Sequence, residues 1–302
     1  MRLLAARHRK NLAITLMMLP GAIWLLFLRY VPMGGIVIAF QDFRPHPPNP
    51  TLINNIIHSR FIGFENFRFI FASDIAWRFI RNTLAYNAVF IVLTTVFAIA
   101  LAIALSELTT KFMAKLYQTL MFFPFFISWV VVSYFVFAFL SPTHGVLSDV
   151  SSWYMDPWGW PVILTSAHLW KSLGFNCIIY LAAITGVDHG QYEAAAIDGA
   201  SKWNQIWSIT IPNIKPMIII LFILAVGRIF NADIGLFYNV PMNSGPLFPV
   251  TDVIDTYVLR ALQTLTLGMT TAVGLFQQIV GFVCIMGANA VVRKLDPESA
   301  VF

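Results

Sequence analysis

Asp252 and Asp255 form a D-x-x-D pair, a spacing that lets two carboxylates hold Mg²⁺ and a substrate diphosphate. A magnesium site needs several converging oxygens, and a short acidic pair in an exposed loop is ordinarily solvated, so no metal is expected here. No G-x-x-x-x-G-K-[ST] run is present to cradle a phosphate, and neither H-E-x-x-H nor G-x-S-x-G occurs. The 6 histidines are scattered, with no second ligand at helical spacing. Cys177 and Cys284 both fall in apolar stretches, as small buried side chains do. The sequence points away from catalysis.

A second kind of chemistry lies in polar side chains set inside apolar runs. Lys171 is followed five residues on by Asn176, Arg228 is followed by Asn231 one turn later, and Gln277 and Gln278 stand together. An intramembrane cation is costly, so it faces a wet interior or a partner. These six residues are the candidates for a translocation pathway. Lys171 is balanced between pathway and structural glue, because both satisfy that cost, whereas Arg29 suits snorkelling.

The elements that position these groups follow from composition. Of 302 residues, 58% are hydrophobic and 11% charged, against about 25% charged in soluble domains. Mean hydropathy is +0.74. A helix needs roughly 20 apolar residues to span a bilayer, and runs of that kind lie at about 12–40, 82–105, 116–140, 161–184, 214–236 and 268–292. The net charge of +5 is explained by topology, since no basic run sits on a soluble domain and nucleic acid is not an expected partner.

With both termini cytoplasmic, that side holds Arg2, Arg7, Arg9, Lys10, Lys111, Lys115, Lys202, Lys215, Arg293 and Lys294. The outer side then holds Arg44, Arg60, Arg68, Arg78, Arg81 and Arg260. The basic start reads as a retained signal-anchor, because no small-residue cleavage site follows its apolar run. GFENFRFIF (63–71) places Phe64, Phe67, Ile70 and Phe71 in an apolar stripe expected to lie on the outer membrane surface. Trp153, Tyr154, Trp158 and Trp160 suit a headgroup position.

Between the fourth and fifth spans runs QYEAAAIDGASKWNQIWSITIPNIKP (191–216). Asp188 can cap a helix, with Gln191 in the capping-box position. Glu193, Ala194, Ala195 and Ala196 favour helix and present a small-residue face. Gly199 permits a sharp turn, and Ser201 can cap a second helix carrying Trp203, Ile206, Trp207 and Ile211. Pro212 and Pro216 are expected to end that helix. The product is a helix–turn–helix knob suited to docking a cytoplasmic partner, since an interfacial helix would be basic on its polar face.

Glu193-Ala194-Ala195, Gly199, Ile209, Ile211 and Pro212 resemble the E-A-A-x-x-x-G-x9-I-x-L-P signature of permease subunits in bacterial ABC importers, with isoleucine where leucine is usual. Asp198-Gly199-Ala200 resembles the sugar branch. VPMGGIVIAFQDF (31–43), GFENF (63–67), RNTL (81–84) and FPFFISWVVVSYF (123–135) resemble its oligosaccharide subgroup, which includes permeases for uronic-acid saccharides such as alginate.

The resemblance implies an all-α integral membrane protein, a type I ABC importer permease of about six transmembrane helices with a cytoplasmic coupling-helix loop. It implies one permease domain over 1–302, with its core at about 77–292 and the loop at about 185–213. The 188–212 segment would couple to a separate ATPase through Glu193, Ala194, Ala195, Asp198, Gly199, Ala200, Ile209, Ile211 and Pro212. The implied partners are a second permease subunit, two cytoplasmic ATP-binding subunits, an extracytoplasmic solute-binding protein and membrane lipid. The implied location is the bacterial inner membrane. No cofactor is expected on this chain, ATP and Mg²⁺ belonging to the partner ATPase.

Two other readings use different residues. A stand-alone secondary transporter would use Lys171 as its coupling site, and a membrane-embedded Mg-dependent transferase would use Asp252 and Asp255. As for the solute, Arg29, Lys171 and Arg228 occupy the spans, with Asp233 at an outer end as the acid nearest a span interior. The segment 41–81 sets Arg44, Arg60, Arg68, Arg78 and Arg81 against Asp42, Glu65 and Asp74. That bias favours acidic oligosaccharides over neutral ones.

Overall fold

The computed structural model describes residues 2–44, 51–141, 145–146, 153–264 and 267–297, with side chains described for all of these but 2–13, Thr264 and Leu295. The side chains of Arg2, Arg7, Arg9 and Lys10 therefore lie outside the described set. The chain forms two compact units, one of 1–72 with 261–275 and one of 73–260 with 276–302.

The first unit begins with α1 (Arg2–Leu25), a π turn at Leu26–Tyr30 that carries an exposed Arg29, α2 (Val31–Met33) and a 3-10 segment Gly34–Phe40. Together they supply the apolar run Ile14–Phe40. Met17 is 83% and Phe27 62% exposed, a surface suited to lipid or another chain. β1 (Gln41–Asp42) pairs antiparallel with β2 (Arg60–Phe61), and α3 (Leu52–His58) lies between them in sequence. In α4 (Glu65–Ala72), Asn66 Nδ2 donates to the carbonyls of Ala39 and Gln41 at 2.9 and 3.0 Å. The expected surface stripe is divided: Phe64 and Phe67 contact Phe40 and Ile70 is buried, while Phe64 and Phe71 stay exposed. Gly63 precedes this segment at φ 62°, in the left-handed region that favours glycine.

The second unit contains α5 (Asp74–Ser106), α6 (Lys111–Phe126), α7 (Trp129–Leu140), α8 (Trp160–Thr185), α9 (His189–Ile197), α10 (Lys202–Gln205), α11 (Ile211–Val226) and α12 (Phe248–Thr251). α13 (Ile254–Thr264) and α14 (Leu267–Leu295) belong partly to each unit. α5 and α8 form its spine. Ala98 and Ala102 pack against Cys177, Tyr180, Leu181 and Ile184 with Ile214 of α11. Tyr86, Phe90, Trp160, Leu164, Leu236 and Phe237 fill the other end. Lipid offers no hydrophobic drive between spans, so close backbone approach matters. A Cβ on Gly174 would sit 1.9 Å from the Met121 carbonyl oxygen, so only glycine lets α8 pack against α6 here.

Two expected spans differ from the structure. The run 116–140 is broken: α6 and α7 meet at 95°. Ile127 and Ser128 leave helical geometry, and the Ser128 side chain caps α7 by accepting from the Val131 N–H. The fifth span runs over Lys202–Val226 rather than 214–236. Its helix continues through a π turn at Ile206–Thr210 into α11, where Pro212 occupies the first turn and Pro216 lies inside. The π turn directly before Pro212 is where this continuous helix accommodates the N–H that proline lacks. The prolines therefore do not end the helix. Gly227 does, and Arg228 and Asn231 fall in the turns that follow.

Candidate functional site

The polar side chains of the second unit converge on one cavity of about 450 Å³ between α5, α8 and the end of α11. α8 contributes His168, Ser172, Asn176 and Tyr180 at four-residue intervals, which puts all of them on one helical face. α5 contributes Asn87, Phe90, Ile91, Thr94 and Thr95, again about one turn apart. Leu221, Leu224 and Ala225 of α11, with Arg228 and Asn231, close the far side.

Local bonds set these groups. Asn87 Nδ2 donates to the carbonyls of Ile229 and Asn231 at 2.8 and 3.1 Å, which ties the turn after α11 to α5. Ser172 Oγ donates to the His168 carbonyl, and Asn176 Nδ2 to that of Ser172. The His168 ring stacks on Phe90 with centroids 3.9 Å apart. A lining of hydroxyls, amides, rings and one guanidinium, with no carboxylate among its described residues, can hydrogen-bond a polyhydroxylated solute.

Of the six expected pathway residues, Asn176, Arg228 and Asn231 share this cavity. Lys171, Gln277 and Gln278 do not line it. Lys171 Nζ donates to the carbonyls of Pro124 at 3.3 Å, Phe125 at 2.8 Å and Ile127 at very short range. Pro124 O also accepts from the Ile127 N–H, and the ammonium caps the remaining carbonyls at the break. It also stands 5.4 Å from the centre of the Trp129 ring, while Trp129 Nε1 donates to Asp233 at 2.6 Å. Gln277 is buried, and its Nε2 donates to Phe230 O and Asp255 Oδ2. Gln278 is exposed. The cavity faces of α5 and α8 escaped notice in the sequence, although the 168–172–176–180 spacing was the signal that could have found them.

The D-x-x-D pair is neither solvated nor a metal cradle. Asp252 is 2% exposed and ion-paired to both Arg78, at 2.9 Å, and Arg260. Asn82 Nδ2 donates to its carbonyl, and Thr83 Oγ1 accepts from the Ile254 N–H. Asp255 turns elsewhere, accepting from the Ala232 N–H at 2.7 Å and from Gln277. Burial pushes its carboxyl above the usual aspartate range, partly offset by those two bonds. With the two carboxylates committed to different partners, the transferase reading loses its site. Of the five arginines in segment 41–81, three are ion-paired among the described residues, Arg44 to Asp42, Arg68 to Glu65 and Arg78 to Asp252.

The knob is built as a rigid corner. Asp188 caps α9 by accepting from the Gly190 N–H at 3.0 Å. At the other end Ala200 N–H bonds Ala195 O and Gly199 N–H bonds Ala196 O, with Gly199 at φ 78°, the Schellman arrangement. Ser201 caps α10 through the Asn204 N–H. Gln191 does not close a capping box. Its Oε1 accepts from Asn213 Nδ2 at 3.0 Å, and Tyr192 Oη bonds Thr210 Oγ1, so two bonds fasten α9 to the start of α11. Lys202 pairs with Glu107 at 2.8 Å and Lys215 with Asp296 at 2.6 Å, which puts the ends of α5 and α14 on the knob's side. Glu193, Ala194, Asp198 and Gly199 are exposed, Ala195 and Ala200 half-buried. Trp203 and Trp207 meet edge-on, both exposed.

A family model described as "Binding-protein-dependent transport system inner membrane component" matches residues 94–297. The chain is 34% identical over 293 residues to the polygalacturonan/rhamnogalacturonan transport system permease protein YteP of Bacillus subtilis, covering 94% of this chain and 88% of that one. It is 32% identical over 303 residues to Protein LplB of the same organism, covering 97% and 92%. Among solved structures it resembles a bacterial ABC transporter involved in the import of the acidic polysaccharide alginate, with TM-score 0.84, 32% identity and coverage of 98% and 100%. It also resembles the bacterial alginate ABC transporter in complex with an alginate pentasaccharide-bound periplasmic protein, with TM-score 0.82, 31% identity and coverage of 95% and 96%.

Proposed function

Because this chain belongs to the family of binding-protein-dependent transport system inner membrane components, we propose that it carries acidic oligosaccharides, alginate-like uronic-acid chains, across the bacterial cytoplasmic membrane. The protein is a helical, multi-pass permease of a sugar ABC importer. The observation that carries the cargo reading is the cavity between α5, α8 and α11: its lining sets hydroxyls, amides and a cation beside apolar side chains and lacks a carboxylate among the described residues. The acidic cargo named for the solved relative points the same way.

The knob at 188–212 docks a separate ATPase, which hydrolyses ATP with Mg²⁺ and needs no cofactor on this chain. Its exposed Glu193, Ala194 and Asp198 and the Trp203–Trp207 pair form the docking surface, with Ala195 and Ala200 holding the turn beneath. Gly199, Ile209, Ile211 and Pro212 set its angle. A second permease completes the passage, two ATP-binding subunits sit below, and an extracytoplasmic binding protein delivers the solute. The knob, Lys111, Lys115, Lys202, Lys215, Arg293 and Lys294 face the cytoplasm with both termini, as the positive-inside rule requires. The ion pair Lys215–Asp296 supports that side for the end of α14.

The test is uptake into proteoliposomes holding the full complex with its binding protein. Uronic-acid tetrasaccharides are expected to enter only with ATP, and faster than neutral chains of the same length. Equal or better entry of the neutral chains overturns the cargo reading, and entry without ATP overturns the coupling.

A further inference from the structure

Resting on that reading of the cavity as the passage, we infer that Arg228 is the residue that holds a carboxylate of the passing chain. The described residues lining the cavity include this one permanently charged side chain. The other cations of the second unit whose ion pairs are described are committed. Arg78 and Arg260 hold Asp252, Lys202 holds Glu107 and Lys215 holds Asp296. Lys171 is spent on the carbonyls at the α6 break. No described acid, carbonyl or amide meets the Arg228 guanidinium, although its backbone is fixed: the N–H bonds Ala225 O, and its own carbonyl accepts from Asn231. Ile229 and Asn231 next to it are pinned to α5 by Asn87.

A planar fork of five donors on a pinned turn matches a carboxylate with two bonds at once. Its neighbours in the cavity, Asn176, Ser172 and Thr94, are neutral and suit the hydroxyls of the same sugar. Arg228 is exposed at the end of α11 with Leu221, Leu224 and Ala225 beside it, so its guanidinium is accessible to a carboxylate-bearing cargo during passage. The chemistry recognised is thus a hexuronate unit, with Arg228 reading its charge and the amides and hydroxyls its ring.

The experiment compares the unaltered complex, Arg228→Gln and Arg228→Lys in proteoliposomes with saturating uronate-loaded binding protein, recording uptake per ATP hydrolysed. Assembly is checked by copurification of the subunits. Arg228→Gln is expected to lower uronate uptake about tenfold, the value of a charge-assisted contact, with ATP hydrolysis and assembly kept. Arg228→Lys is expected to recover more than half of the loss. Uptake by Arg228→Gln within twofold of the unaltered complex overturns the inference, and so does equal loss in the glutamine and lysine variants. If the unaltered complex itself fails to take up uronates, the cargo reading falls and the inference with it. The other failures leave that reading standing.

Discussion

Replacing Lys171 with methionine removes one ammonium and leaves the carbonyls of Phe125 and Ile127 without its donors at the end of α6, while Pro124 O keeps the Ile127 N–H. Inside an apolar run those carbonyls have no water to turn to, and each unsatisfied buried acceptor costs about 1–3 kcal/mol. Lys171 is only half-buried, so relaxation recovers part of this and the net loss is about 2–4 kcal/mol. By the scaling of soluble domains of 150–250 residues, where 1 kcal/mol moves the midpoint by about 2–4 °C, the thermal midpoint falls by roughly 4–16 °C. Thermal unfolding of the detergent-solubilised complex, followed by tryptophan fluorescence, reads this directly. Trp129 stacks near Lys171 and bonds Asp233, so its emission should shift at the same site. An unchanged midpoint with lost uronate uptake would falsify the capping role and return Lys171 to the pathway.

Two further outcomes are expected. Gly199→Val places a β-branched residue at φ 78° with open space around its Cβ, so the cost is backbone strain of about 1–2 kcal/mol rather than a clash. The variant should insert and bind the ATPase but hydrolyse ATP without matching uptake, and normal coupled uptake would show that the corner angle is dispensable. Asp255 has its folded pKa raised above the ordinary 3.8, so the folded state holds the proton more tightly than the unfolded one. Stability conferred by that proton is full below pH 3.8 and is lost as pH rises through the raised value. The thermal midpoint should therefore decline with rising pH across that window, and Asp255→Asn should flatten the slope. A parallel slope in the variant would assign the effect to another group.

The membrane class, four of the six spans and the caps of the knob were legible in the amino-acid sequence because each depends on local order. Apolar runs announce spans by length alone. Asp188, Gly199 and Ser201 do their capping and turning within a few residues of themselves. What the sequence left open depends on which faces meet. Lys171 lies one residue from Ser172, yet only Ser172 lines the cavity, because neighbours on a helix point about 100° apart and packing chooses between them. The break at Ile127 is invisible as composition, since both halves are apolar. A lysine 44 residues away supplies donors to the carbonyls that the break leaves open. Asp252 reads as half of a surface pair until Arg78, 174 residues distant, is brought beside it. The tertiary structure decides such cases because a buried polar group is stable only against a partner, and partners far apart in sequence are chosen by the fold.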